Sequence, residues 1–127
     1  MLKDLIEKGS ISETLFIPLN AKAKETKDPN GVIKDPKAVE IIENSTLDLS
    51  EFDGGNITHV GIIARTEVID KGVNEFLNKH NTGLIINIGA GLDTRISRVD
   101  NKRLRWIDVD MPEVIEARKL FLKKIRE

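Results

Sequence analysis

The chain has 127 residues, no cysteine and a formal net charge of -1. That length suits one domain, the missing thiols exclude disulfides and thiolate metal sites, and the balanced charge argues against a pull toward nucleic acid or anionic membrane. With 39% hydrophobic and only 4% aromatic residues, no tyrosine among them, the composition is that of a globular protein without a base-stacking surface. No apolar run is long enough to span a membrane and Met1-Leu2-Lys3-Asp4 opens no secretory signal, so a cytoplasmic location is expected.

Ser10 or Ser12 can cap a helix that begins near Glu13, with Leu15, Leu19 and Ala23 at helical spacing. Pro18 falls inside this pattern and is expected to kink or restart it. Thr26–Gly31 reads as a turn. Asp35-Pro36 then starts a second helix, with Asp as N-cap and Pro in the first turn, running to about Asn44 with Val39, Ile42 and Ile41 as inward candidates. Ser45–Asn56 is polar and turn-rich, a loop. A longer helix covers roughly Thr58 to Lys79, with Ile62, Ile69, Val73, Phe76 and Leu77 on one face.

Asn81-Thr82-Gly83 ends that helix. An apolar, β-branched strand, Leu84–Ile88, then stops at Gly89-Ala90-Gly91. A helical turn over Thr94–Val99 and a loop lead to a second strand, Leu104–Val109, which ends at Asp110, about 20 residues past the first glycine. Pro112 opens a last helix with Val114, Phe121, Leu122 and Ile125 as inward candidates. The two histidines, His59 and His80, lack ligand spacing.

Strand, glycine turn and distal acid are the parts of a nucleotide-binding βαβ unit. The glycines let backbone approach a ligand, and the acid can accept from both ribose hydroxyls. Thr94 stands where the dinucleotide fingerprint has its third glycine, and Asp93 would repel a pyrophosphate. Two unit charges about 4 Å apart interact by roughly 1 kcal/mol in water and about 4 kcal/mol near a protein surface. S-adenosylmethionine carries a sulfonium and an ammonium and no phosphate, so the acidic turn favours it over NAD or FAD. Asp108 and Asp110 fall on one side of the pleat, and the one nearer the tip, Asp110, is expected to meet the ribose.

The segments I-N-I-G-A-G-L-D-T-R (Ile86–Arg95) and W-I-D-V-D-M-P-E-V-I (Trp106–Ile115) resemble the leucine carboxyl methyltransferase family, most closely its polyketide O-methyltransferase branch. Two upstream segments, Thr14–Thr26 and Ile33–Ile42, are similar to the same branch. The resemblance implies an α/β fold: N-terminal helices over residues 1–57 on the lid or substrate side, then the first βαβ part of a Rossmann-like sheet over 58–127, incomplete in this chain. It implies S-adenosylmethionine as cofactor, held by Gly89, Ala90, Gly91, Asp93, Asp110, Met111, Arg65 and Lys22. The expected partner is a small-molecule methyl acceptor, hydroxyl or carboxyl, and the branch resembled implies one of polyketide type.

Each residue has a plainer alternative. Asp93 serves either the cofactor ammonium or the cap of the helix at Thr94. Arg65, three residues after Ile62, sits at the edge of the apolar stripe, placed for a bidentate grip on the cofactor carboxylate or for its stem to lie along apolar surface. Lys22 approaches the carboxylate or is a solvated surface lysine, as Lys24 is. Arg95 is expected in an ion pair with Asp93 or Asp110, and Trp106 in the core or as a wall near the adenine. No residue stands out as a general base. Two alternatives are kept: a nicotinamide or flavin enzyme on the same βαβ unit, and a truncated, non-catalytic piece that assembles with another chain. Two strands leave open edges, so self-association or strand exchange is expected and the chain alone is expected to be inactive.

Overall fold

A computed structural model describes residues 12–45, 48–50, 55–99 and 102–122. Ser12 caps a 3-10 turn, Glu13–Leu15, accepting from the Thr14 amide. It leads directly into α1 (Phe16–Lys27). Pro18 does not interrupt α1, because it lies in the first turn, where backbone N–H groups have no partner within a helix and none is lost. Asp35 caps α2 (Pro36–Asn44) by accepting from Ala38 N. α3 runs from Gly55 to Lys79, β1 from Gly83 to Ile88, α4 from Arg95 to Val99, β2 from Leu104 to Val109 and α5 from Pro112 to Leu122. Ser10, Asp53-Gly54, Asp100 and Ile125 fall outside the described residues.

The two strands are parallel, in the register Ile86 opposite Ile107 and Asn87 opposite Asp108. Strand, crossover helix and parallel strand make this a partial Rossmann-like α/β fold. Among the described residues, one face of the sheet is covered and the other is not. Ile85, Leu104 and Trp106 pack with Ile96 and Val99 of α4 and with Val73 of α3. The other face presents Leu84, Ile86, Ile88, Ile107 and Val109, all exposed.

α1 is the hub of the remaining core. Phe16, Leu19 and Ala23 join Ala38 and Ile41 of α2, Leu92 of the glycine loop and Ala117 of α5. Ala21 turns the opposite way, toward Ile33, Ile62 and Ile63. A helix contacted on several sides leaves little room for a solvated face. α3 buries Ile62, Ile63, Thr66 and Leu77. Ile69, expected inside, is 41% exposed, because the inward direction of α3 passes between Ile62 and Ile63.

Candidate functional site

The β1-to-α4 loop is drawn across the end of the sheet by its own amides. Gly89 N and Ala90 N both donate to Val109 O, at 2.8 and 3.2 Å, and Asp93 N closes a turn on Ala90 O at 2.9 Å. Gly89 and Gly91 take φ of +66° and +51°, the left-handed region that glycine occupies without strain. A Cβ at Gly89 would meet nothing within 4 Å, so the loop faces open space there.

That space is a cleft of about 390 Å³. Its floor is Gly89, Ala90, Gly91 and Asp93, and its walls include Leu15, Pro18, Lys22, Arg65 and Ile69. Asp110 and Met111 lie outside the lining. Asp110 nonetheless touches the loop: Oδ2 accepts from Gly91 N and Oδ1 from Met111 N, both at 2.7 Å. Each carboxylate oxygen keeps a further lone pair for a ligand hydroxyl. Met111 is 65% exposed beside it.

Lys22 corrects one alternative. It is not a solvated lysine: it is 4% exposed, since the packing around α1 closes over it. Its Nζ donates to Thr94 Oγ1 at 3.3 Å and to Asp93 at 3.5 Å. Burial pushes its pKa below the ordinary lysine value, against the opposing pull of Asp93. Arg65 differs from expectation in the other sense. It lines the cleft but is exposed, on the outer side of the buried stripe. Among the described residues its side chain has no hydrogen bond or ion pair, which leaves its fork available.

Asp93 is a junction rather than a simple cap. Oδ1 accepts from Arg95 N at 3.3 Å, and Oδ2 accepts from Arg95 Nη1 at 2.9 Å and Asn87 Nδ2 at 3.3 Å. The expected Arg95–Asp93 pair is therefore present, and Arg95 Nε adds a bond to Asp70 at 2.8 Å. From there the network continues inward. Arg98 holds Asp70 through Nε (2.8 Å) and Nη2 (3.0 Å), and Asp35 through Nη1 (2.6 Å). Thr94 Oγ1 also donates to Asp35, which is fully buried. Burial opposes the charge on Arg98, but Asp70, Asp35 and Asp93 outweigh it and hold its pKa above the ordinary value. No buried side-chain polar atom among the described residues is left without a partner.

Asp108 is half-buried and held by three donors. It accepts from Trp106 Nε1 (2.9 Å), Asn87 Nδ2 (3.0 Å) and Arg118 Nη2 (2.8 Å). Trp106 is buried in the core between sheet and α4. Asp70, Asn87, Arg98 and Arg118 were not singled out by the sequence. Asn87 left a trace as the one polar residue of an apolar strand. Arg118 left another, four residues after Val114 and on the same predicted face.

The donors and acceptors around the cleft fit S-adenosylmethionine. The open glycine floor admits a ligand backbone, Asp110 can take a ribose diol, the charge of Asp93, whose acceptor sites are taken by Lys22, Arg95 and Asn87, can attract an ammonium across the floor, and Lys22 and Arg65 can meet a carboxylate. The family model described as Leucine carboxyl methyltransferase matches residues 16–127. The chain is 30% identical over 116 residues to the tetracenomycin polyketide synthesis O-methyltransferase TcmP of Streptomyces glaucescens, covering 91% of this chain and 43% of that protein. It is 29% identical over 130 residues to the S-adenosyl-L-methionine-dependent methyltransferase dpfgK of Gibberella zeae, covering 90% of this chain and 43% of that protein. The chain thus spans less than half the length of these relatives. No solved structure gives a significant match. The chain belongs to the leucine carboxyl methyltransferase family.

Proposed function

We propose that this member of the family binds S-adenosylmethionine in the cleft over the glycine loop and serves methyl transfer to an oxygen of a small, polyketide-like acceptor. One observation carries the reading: a single cleft is lined by the positive-φ glycines, one carboxylate (Asp93) and three cations, of which Arg95 is tied to Asp93 and Asp70 while Lys22 and Arg65 face the cleft from the helices above the loop. A zwitterionic amino acid joined to a nucleoside needs that set, and a pyrophosphate does not. Gly89, Ala90 and Gly91 give the approach, Asp110 with Met111 beside it takes the ribose side, Asp93 the ammonium, and Lys22 and Arg65 the carboxylate. When bound, S-adenosylmethionine supplies the electrophilic methyl group. The chain's own residues bind and orient, and the apolar wall of Leu15, Pro18 and Ile69 excludes water from the acceptor side.

Calorimetric titration with S-adenosylhomocysteine and, separately, NAD tests the reading. Binding of the first and none of the second is expected. Binding of NAD, or of neither, rejects it.

The exposed apolar sheet face supports a second reading, in which the site works only with further polypeptide laid against that face: more sheet, or another copy of the chain. On this reading the 127-residue chain binds cofactor weakly and transfers no methyl group by itself. Co-expression with the part of a relative that this chain does not span would then restore activity.

A further inference from the structure

The backbone of Gly91 is gripped at both its N–H and its C=O by residues of one helix and its leading turn. Its N–H donates to Asp110 Oδ2 at 2.7 Å, just ahead of α5. Its C=O accepts from Nη1 of Arg118, within α5, at 3.0 Å. The same Nη1 donates to the carbonyl of Asp93 at 2.9 Å, and Nη2 pairs with Asp108 at 2.8 Å. Arg118 is 6% exposed and does not line the cleft. Asp108 is itself fixed to β2 by the Trp106 indole and to β1 by Asn87. A rigid fork on a rigid anchor therefore holds the middle and the end of the loop.

We propose that Arg118 is the positioning residue of the ligand loop: it fixes the separation of Asp110, on the ribose side, from Asp93, on the amine side. The functional half of this inference rests on the proposed cofactor reading; the mechanical half does not. Two glycines in the left-handed region give the loop no side-chain restraint of its own at those positions. A loop free to wander would place its two acids at varying distance, and ordering it would be charged to every binding event. Only a planar guanidinium reaches two carbonyls and a carboxylate at once; an ammonium on a flexible stem cannot hold all three. Arg118 thus acts through Gly91 and Asp93 and touches no ligand.

Nuclear magnetic resonance on the intact chain tests the brace without ligand. The Nη protons of Arg118 should be resolved and slow to rotate, and averaged signals overturn the proposal even if no variant folds. In Arg118→Lys, exchange of the Gly91 and Asp93 amides should quicken at least about tenfold while that of Ile86 in β1 stays put, since local openings and strand openings are separate events. Equal change at all three sites means a merely structural role and rejects the inference. The same variant should bind S-adenosylhomocysteine at least about tenfold more weakly, yet bind adenosine and methionine, as separate probes, within about twofold of the parent, because only their linkage reads the separation. Equal losses for all probes contradict the proposal. If the parent chain binds no S-adenosylhomocysteine, the cofactor reading fails, and the exchange data still decide the brace.

Discussion

Asp35 and Arg98 are 63 residues apart in the chain, yet Arg98 Nη1 donates to Asp35 Oδ2 at 2.6 Å. One oxygen of Asp35 caps α2 while the other holds Arg98 and Thr94, so a helix start and the loop-bearing unit share one carboxylate. Asp35→Ala removes both. Loss of a cap costs about 0.5–2 kcal/mol and breaking a buried pair about 3–5 kcal/mol, so urea unfolding should show a loss at or above the lower of these ranges. Asp35→Asn keeps the cap acceptor and should fall between parent and alanine variant. Equal stability of all three would contradict the shared role.

Lys22→Met should separate stability from binding. The amine is buried and its bonds are long, while Asp93 and Thr94 keep shorter bonds to Arg95 and Asp35. Removing a desolvated charge whose neighbours stay paired leaves the melting temperature unchanged or raised. Affinity for S-adenosylhomocysteine should fall, while adenosine binding stays. Arg65→Lys should likewise weaken only the first ligand, with stability within about 0.5 kcal/mol of the parent, because the exposed Arg65 has no partner to lose among the described residues. A lowered melting temperature in Lys22→Met with intact binding would reverse the assignment.

Asp110→Ala should weaken both S-adenosylhomocysteine and adenosine. Each lost hydrogen bond to a charged acceptor is worth about 1.5–3 kcal/mol, so the combined effect should exceed tenfold in Kd (about 1.4 kcal/mol). Calorimetry giving affinities within about twofold of the parent for both ligands would remove Asp110 from the ribose side.

The Glu25–His59 contact supplies an acid-sensitive tie between α1 and α3. His59 Nε2 meets Glu25 Oε2 at 2.9 Å and Val32 N donates to Oε1 at 2.9 Å. The His59 hydrogen bond, then the Val32 amide, hold the Glu25 pKa below its ordinary value of 4.5. A depressed carboxylate stabilises the fold fully above that ordinary value and ceases to do so as pH falls through the folded one. The melting temperature of Glu25→Gln should therefore lie below the parent's at neutral pH, with the gap closing below pH 4.5. A gap that stays constant to pH 3 would show that the tie is not carried by the carboxylate charge.

The bare sheet face should govern how the chain behaves in solution. Ile86 and Ile107 stand opposite each other there, 55% and 44% exposed. Sedimentation of the parent should show association that increases with concentration. Ile86→Lys should shift it toward monomer without lowering the melting temperature, since an exposed position has little packing to lose. A compact monomer at high concentration would mean that this face is content in water.

Much of this architecture was legible because it rests on short-range rules. Asp35-Pro36, the break before β1, Leu104–Val109 and Pro112 are local signals, and each element begins or ends within a few residues of where they place it. Of the two effects expected of Pro18, the structure shows the restart and no kink: the 3-10 turn Glu13–Leu15 gives way to α1 with Pro18 in its first turn. Around the cleft, Gly89, Ala90, Gly91 and Asp93 were legible as one contiguous motif, and the structure puts Lys22 and Arg65 on the same cleft. The depth of Lys22 was not legible, because it depends on α2, α3 and the loop all packing around α1. Asp70 and Arg98 were hidden for a related reason: a charged residue beside a helical stripe reads as solvated until its partner, 28 residues away, is known to face it.

The parallel pair of strands also has a kinetic meaning. Gly83 through Val109 close their hydrogen bonds across a short crossover, so the loop-bearing unit can form early at small entropic cost. Asp35 must be carried to Thr94 and Arg98 across a far longer stretch of chain. Docking of that carboxylate is expected after the main barrier. Its removal should hasten unfolding and leave the refolding rate nearly untouched, while substitutions at the Ile85–Trp106 contact should slow refolding instead.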